Sequence, residues 1–195
     1  MKASRRSLYF PFSLGHFAND FVPCSLVVLA PAIALEMGLN PMEVGLLLTL
    51  HSLGSALGYF PSGLLADSVK NRGNLLMLTF WWVGLGYLLA SWAPGFWSLA
   101  LLFALAGCGD AAWHPLATAI LVQADPQNRG QALGFHAVGG TLSAVIGPVI
   151  VGFLLASMDW RETLHWIILP TLLVGSLFLL IRKWVPEQSE RKDIS

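Results

Sequence analysis

Val44 to Ala66 reads VGLLLTLHSLGSALGYFPSGLLA, without a single charged side chain. A bilayer core about 30 Å thick needs about 20 apolar residues wound as helix, and this stretch supplies them. Glu43 before it and Asp67 after it mark where the chain returns to water. Membrane-crossing strands are about half this long, so the run is a helix and not part of a barrel.

The same pattern recurs on both sides. Apolar spans are expected at about 8–35, 43–66, 75–93, 96–122, 130–158 and 163–184. The first is interrupted only by Asp20, and the fourth contains Asp110. The long apolar run from Leu75 to Gly109 is divided by Ser91-Trp92-Ala93-Pro94-Gly95, a stretch of turn residues. In lipid only helices and closed barrels satisfy every backbone group. The fold class is therefore all-α, with six transmembrane helices in residues 1–184 and a polar tail at 185–195.

Composition agrees. The 195 residues are 55% hydrophobic and 11% charged, with a mean hydropathy of +0.66. A soluble domain carries about 25% charged residues, so this chain has too few to cover a surface in water. A formal net charge of zero gives nucleic acid nothing to grip. Cys24 and Cys108 stand in apolar runs without metal or redox spacing, which argues against a disulfide or a zinc site. Lys2, Arg5 and Arg6 followed by an apolar run and Ala30, Ala32 and Ala34 imitate a signal peptide. His16, Asn19 and Asp20 are too polar for a signal core, so this segment reads as a retained first span. No H-E-x-x-H, Ser-x-x-Lys or comparable catalytic spacing occurs, and no enzyme, cofactor or metal is expected.

Ten of the 11 basic residues fall on one side of the six spans; Arg161 alone falls on the other. By the positive-inside rule the richer side is the cytoplasm, which places both termini there. Trp92, Trp97, Trp160 and Trp166 lie near the opposite ends, as an interfacial aromatic belt would.

At the inner end of the second span stands Gly63-Leu64-Leu65-Ala66-Asp67, followed by Lys70, Arg72 and Gly73. Gly63 would permit close helix approach, and Asp67 could meet a helix N-terminus or a basic loop residue. Three further stretches join it: His16-Phe17-Ala18-Asn19-Asp20, Gly107-Cys108-Gly109 through His114-Pro115, and Val138-Gly139-Gly140 through Gly147-Pro148. Together these resemble the major facilitator superfamily, in its fosmidomycin-resistance-like branch. The resemblance implies a secondary transporter fold built as three-plus-three inverted repeats. It also implies conformational roles for Gly63, Asp67, Arg72, Gly73, Gly139, Gly140, Gly147 and Pro148. The glycine-proline run of the fifth span is similar to a motif associated with antiporters. Two departures stand out. Phe103 occupies the position where the superfamily often has an arginine, and the six spans amount to half of the usual twelve.

His16 and Asp20 are four residues apart, as are Asp110 and His114, so each pair shares a helix face. At about 1.5 Å per residue, His16 and His114 lie roughly 12 Å from the cytoplasmic face, and Asp20 and Asp110 roughly 18 Å. Ionisable groups at such depth are expensive unless paired or hydrated, which marks them as functional candidates. His16, Asn19, Asp20, His51, Asp110, His114 and His136 are the expected substrate and proton pathway. An imidazole exchanges protons near neutrality, and a carboxyl shielded from water can do so too. The small-residue pairs Gly54/Gly58, Gly130/Gly134 and Ser143/Gly147 read as helix-packing sites.

The sequence thus predicts a half-transporter of the bacterial plasma membrane, exporting a small organic molecule in exchange for protons. It would act as a homodimer or with a partner six-helix half. The alternatives are a non-transporting receptor subunit and a fragment of a twelve-helix transporter. A reporter active only outside the cytoplasm, fused after Ser195, is expected to be silent; strong activity reverses the topology.

Overall fold

A computed structural model describes residues 5–187. Lys2, Arg191 and Lys192, on which part of the charge asymmetry rests, and the tail from residue 188 onward lie outside the described residues. Local chemistry sets the helix ends. The Asn40 side chain accepts from the Glu43 N–H at 3.0 Å, while the Glu43 carboxylate accepts from the Asn40 N–H at 2.9 Å. With Pro41 in the first turn, this capping box starts a helix before the apolar run begins. Gly38, at φ 66°, ends the preceding helix in the left-handed conformation. The Asp159 carboxylate accepts from the N–H groups of Arg161 and Glu162, both at 2.8 Å, and so starts the last helix at Trp160.

The helices are α1 (Tyr9–Met37), α2 (Pro41–Ser68), α3 (Arg72–Ala90), α4 (Phe96–Ala124), α5 (Arg129–Leu155) and α6 (Trp160–Trp184). All six are long and apolar enough to cross a membrane, and there are no strands among the described residues. Several ends depart from the sequence reading by two or three residues, three of them for a clear local reason. Residues 91–93 form a turn instead of extending α3, residues 156–158 leave α5, and α6 begins earlier than 163. In each case a cap or tight turn overrides an apolar composition. Within α6, Trp160–Ile167 and Leu169–Ile181 meet at Ile168. Pro170 explains the break, because it has no N–H to give and its ring crowds the carbonyl four residues back.

The most extensive pairings are α2 with α4 and α1 with α5. Exchanging the first three helices with the last three converts one pairing into the other. Three helices per repeat make α4 run opposite to α1, which is the inverted-repeat architecture. Two backbone contacts define the register. A Cβ at Gly54 would overlap the Ala104 carbonyl, and one at Gly139 would overlap the Ser13 carbonyl. Ser13 thus corresponds to Ala104, and Gly54 to Gly139. Gly58 sits against the Cys108 carbonyl and Gly147 against the Ser25 hydroxyl. Gly63, Gly130 and Gly134 have nothing within 4 Å of where a Cβ would stand. Gly130 and Gly134 are exposed on α5, and Gly63 borders a cavity shared with Pro115 and Ala119 of α4, so none of the three makes the close packing expected of it.

Two apolar clusters fill the bundle, one toward each end. The first holds Phe21, Leu29, Val83, Tyr87, Leu99 and Phe103; the second holds Phe12, Leu76, Phe80, Trp113 and Phe178. At the end rich in tryptophan, Arg161 ties three segments together. It donates to Glu36 at 3.0 Å and to the Ser91 and Ala93 carbonyls at 2.6 and 3.2 Å. Trp92, Trp97 and Trp166 are exposed there, but Trp160 is buried beneath the Arg161 guanidinium and so belongs to the core rather than the belt.

Gly54→Ala is expected to lower stability by about 1–3 kcal/mol, because the methyl group must displace backbone. Gly134→Ala is expected to be neutral or slightly stabilising. Thermal unfolding of the two variants in the same detergent distinguishes them; equal melting temperatures contradict the register.

Candidate functional site

The register that pairs Ser13 with Ala104 also pairs Asn19 with Asp110, so these residues occupy equivalent places on α1 and α4. The structure puts them in contact. Asn19 Nδ2 donates to Asp110 Oδ1 at 2.6 Å, to the Asp110 carbonyl at 3.2 Å and to Asp20 Oδ1 at 3.1 Å. Three oxygen partners fix which end of the amide carries the hydrogens. Both Asn19 and Asp110 are buried, and Asn19 Oδ1 has no partner among the described residues.

One turn toward the basic end, His16 bridges two acceptors. Its Nδ1 lies 2.8 Å from the His136 carbonyl, and its Nε2 lies 3.1 Å from Asp20 Oδ2. A carbonyl only accepts, so Nδ1 must carry hydrogen. The Nε2–Oδ2 contact then needs one further proton, on the imidazole or on the carboxyl. Without it a nitrogen lone pair faces a carboxylate. A hydrogen bond between the two groups therefore requires that proton.

His114 approaches the other oxygen of Asp20, with Nε2 at 3.6 Å from Oδ1. Its ring meets His16 edge-on at 5.1 Å and stacks on Tyr59 at 5.9 Å. His136 stacks on His16 at 4.1 Å and points Nδ1 at the Phe12 carbonyl, 3.3 Å away. Helix α5 can reach α1 this closely because Gly139 and Gly140 carry no side chains; a Cβ at Gly140 would strike the His16 ring. The two i, i+4 pairs read from the sequence thus join in one cluster, with His136 as a third imidazole. The partner of Asp110 is Asn19, its counterpart in the repeat.

His51 stands outside this hydrogen-bonded group. Its Nε2 is 2.7 Å from the Tyr87 hydroxyl, beside Phe103. Phe103, at the position where an arginine was the family alternative, is fully buried and packs on Tyr87 at 5.5 Å. The sequence reading missed Tyr59 and Tyr87. A signal existed, since the chain has 3 tyrosines among far more Trp and Phe, and each carries a polar or imidazole contact. The remaining one, Tyr9, donates to Asp125 at 2.8 Å.

Pro148 lies within α5 one residue past Gly147, which fits against α1. Asp67 closes α2, is exposed and has no ion-pair partner among the described residues. Arg72 does not reach it. Its Nη2 instead donates to the Pro186 carbonyl at 2.7 Å, while Gly73 lies against the Arg182 backbone. The basic-loop contact expected for Asp67 is therefore absent from this arrangement.

Two groups have the spacing to approach a cation: His16, His114 and His136, and Asp20, Asp110 and His114, each with ligand atoms within 4.8 Å of one another. The His16 nitrogens are already committed to a carbonyl and to Asp20, so coordination would dismantle the proton contact.

Residues 12–195 match the Major Facilitator Superfamily, and the chain belongs to that family. It is 31% identical over 166 residues to a probable 4-methylmuconolactone transporter of Cupriavidus pinatubonensis, covering 83% of this chain and 38% of the relative. Against the fosmidomycin resistance protein of Escherichia coli it is 25% identical over 177 residues, covering 90% and 43%. Against a probable sugar efflux transporter of Helicobacter pylori it is 30% identical over 158 residues, covering 79% and 39%. The solved structure of a bacterial homologue of the human lysosomal transporter Spinster superposes with a TM-score of 0.79 at 21% identity, covering 95% of this chain and 44% of that one. A peptide transporter complexed with sulfate superposes at 0.80 and 17% identity, covering 91% and 38%. The chain spans less than half the length of these relatives.

Asn19→Ala strips Asp110 of its short hydrogen bond. Stability is expected to fall by about 1–3 kcal/mol, the cost of a buried group left unpaired. The check is thermal unfolding of the variant beside Asn19→Asp. Unchanged melting in the alanine variant removes Asn19 from any holding role.

Proposed function

We propose that this chain forms one half of a secondary transporter that moves a small organic molecule out of the cell in exchange for protons, by alternating access. The reading places it in a bacterial plasma membrane with the basic end in the cytoplasm. It is a carrier and not an enzyme. A second six-helix half completes the pathway.

The observation that carries this reading is the His16–Asp20 contact. With its proton, the contact is a hydrogen bond within α1; without it, lone pair faces carboxylate and the two groups separate. His114 on α4 and His136 on α5 touch the same pair, so the change is felt by three helices. Proton occupancy thereby biases how they sit together, which is the requirement for coupling.

Coverage supports the two-half arrangement. In α2 and α5 only 22% of the most apolar window is buried, against 39–50% in the other helices. These two helices pack on opposite flanks of the α1–α4 pair, and their bare sides stand free to meet another half. His16, Asp20 and His114 keep 14–21% of their side-chain surface accessible, an expensive state for ionisable groups facing lipid.

Relatives named for fosmidomycin, 4-methylmuconolactone and sugars supply the probes. In proteoliposomes, Asp20→Asn and Asp110→Asn are each expected to reduce gradient-driven flux to that of protein-free vesicles, while substrate exchange persists. His16→Gln and His114→Gln are expected to shift the pH optimum. Full gradient-driven flux in both asparagine variants would make the carboxyls structural and refute the coupling role.

A further inference from the structure

At the basic end of the bundle, the α2–α3 turn and the last turn of α6 enclose a cavity of about 450 Å³. Lys70, Arg72, Arg182 and Lys183 contribute to its lining, against one acid among the described residues, Glu187. Gly73 sets its floor. A side chain there would strike Arg182, so the glycine lets α6 close against the start of α3. Arg182 is held in place by its bond to Asn74 Oδ1 at 2.8 Å. Lys70 and Glu187 stand 3.6 Å apart on exposed side chains.

Arg72 is the unusual member. It is fully buried, and its Nε and Nη1 have no acceptor among the described residues. A buried guanidinium with unused donors costs several kcal/mol unless an anion meets it. Asp67 lies close in charge terms but makes no hydrogen bond to it. Among the described residues, four cations line the cavity against one carboxylate.

The surroundings indicate the source of that anion. The cavity sits where helices leave the membrane, beside the final turn Arg182–Trp184. The same turn borders a second groove of about 250 Å³, between α1 and α6, lined by apolar groups that include Phe10, Leu14, Leu177, Ile181 and Trp184. An anionic group next to an apolar slot at this level is the arrangement of a phospholipid.

We propose that this cavity seats the phosphate of an anionic phospholipid headgroup from the leaflet at the basic end, with Arg72, Arg182, Lys70 and Lys183 as its ligands. Basic pockets between helices at this depth favour such headgroups over neutral ones. A bound phosphate would tie the Asp67 end of α2 to the end of α6.

The test equilibrates the full chain with an equimolar mixture of phosphatidylglycerol and phosphatidylcholine of identical chains, and counts bound lipid by native mass spectrometry. Phosphatidylglycerol is expected to dominate. The preference should fall about fivefold for each basic group removed in Lys70→Gln/Lys183→Gln, with unchanged melting. In Arg72→Gln it should vanish. Equal retention of the two lipids by the wild type overturns the proposal, as does a preference that survives the double variant. Stabilisation by inorganic phosphate without any lipid preference would assign the cavity to a free anion and also reject the headgroup.

Discussion

Asn19 holds Asp110 at 2.6 Å on the line where α1 and α4 correspond, with both side chains shut away from solvent. A carboxyl at this depth finds no water to satisfy it, so its partner must come from the fold. The amide supplies hydrogens to three oxygens at once, and around it the proposed proton site takes shape. Glycines make that geometry reachable. Gly54 and Gly139 admit neighbouring carbonyls where any side chain would intervene, and this draws α2 onto α4 and α5 onto α1. The tight pairing and the polar centre are parts of one arrangement.

Much of the fold could be read directly from the chain, because lipid imposes a simple rule: long uncharged runs are helices. Val44 to Ala66 needed no further information. Helix ends were less legible, since Asp159, Asn40 and Ser91 act through individual hydrogen bonds that composition does not register. The histidine–aspartate pairs were visible as i, i+4 spacings on α1 and α4. Their meeting was not, because it depends on the rotation of two helices far apart in sequence. Asp20 and Asp110 looked like counterparts by depth. The packing register shows instead that Asn19 matches Asp110, a one-residue offset that span boundaries are too coarse to resolve. His51 looked like another pathway residue, yet its hydrogen bond runs to Tyr87. Gly63, in the signature loop, looked like a packing glycine, yet nothing stands within 4 Å of where its Cβ would be.

The two ends of the bundle are held differently. At one end Arg161 makes direct bonds to Glu36 and to two carbonyls of the α3–α4 turn, a closed clasp with its hydrogen bonds satisfied. At the other, among the described residues, Arg72 retains two unused donors and Asp67 has no ion-pair partner. The first end is joined by the chain itself; the second leaves charge available to something outside it.

Equivalence of Asn19 and Asp110 also bears on heredity. A repeat copied from a single ancestral unit presents the same residue to itself wherever the two copies meet on their symmetry axis. Two aspartates facing each other would repel unless they shared a proton, and two asparagines would leave no acid at all. The observed pair mixes the two types, and the codons of asparagine and aspartate differ by one base. Only after duplication and fusion into one chain could the copies mutate separately, so that an amide came to face an acid. Identical three-helix units assembling from separate chains could never encode this contact.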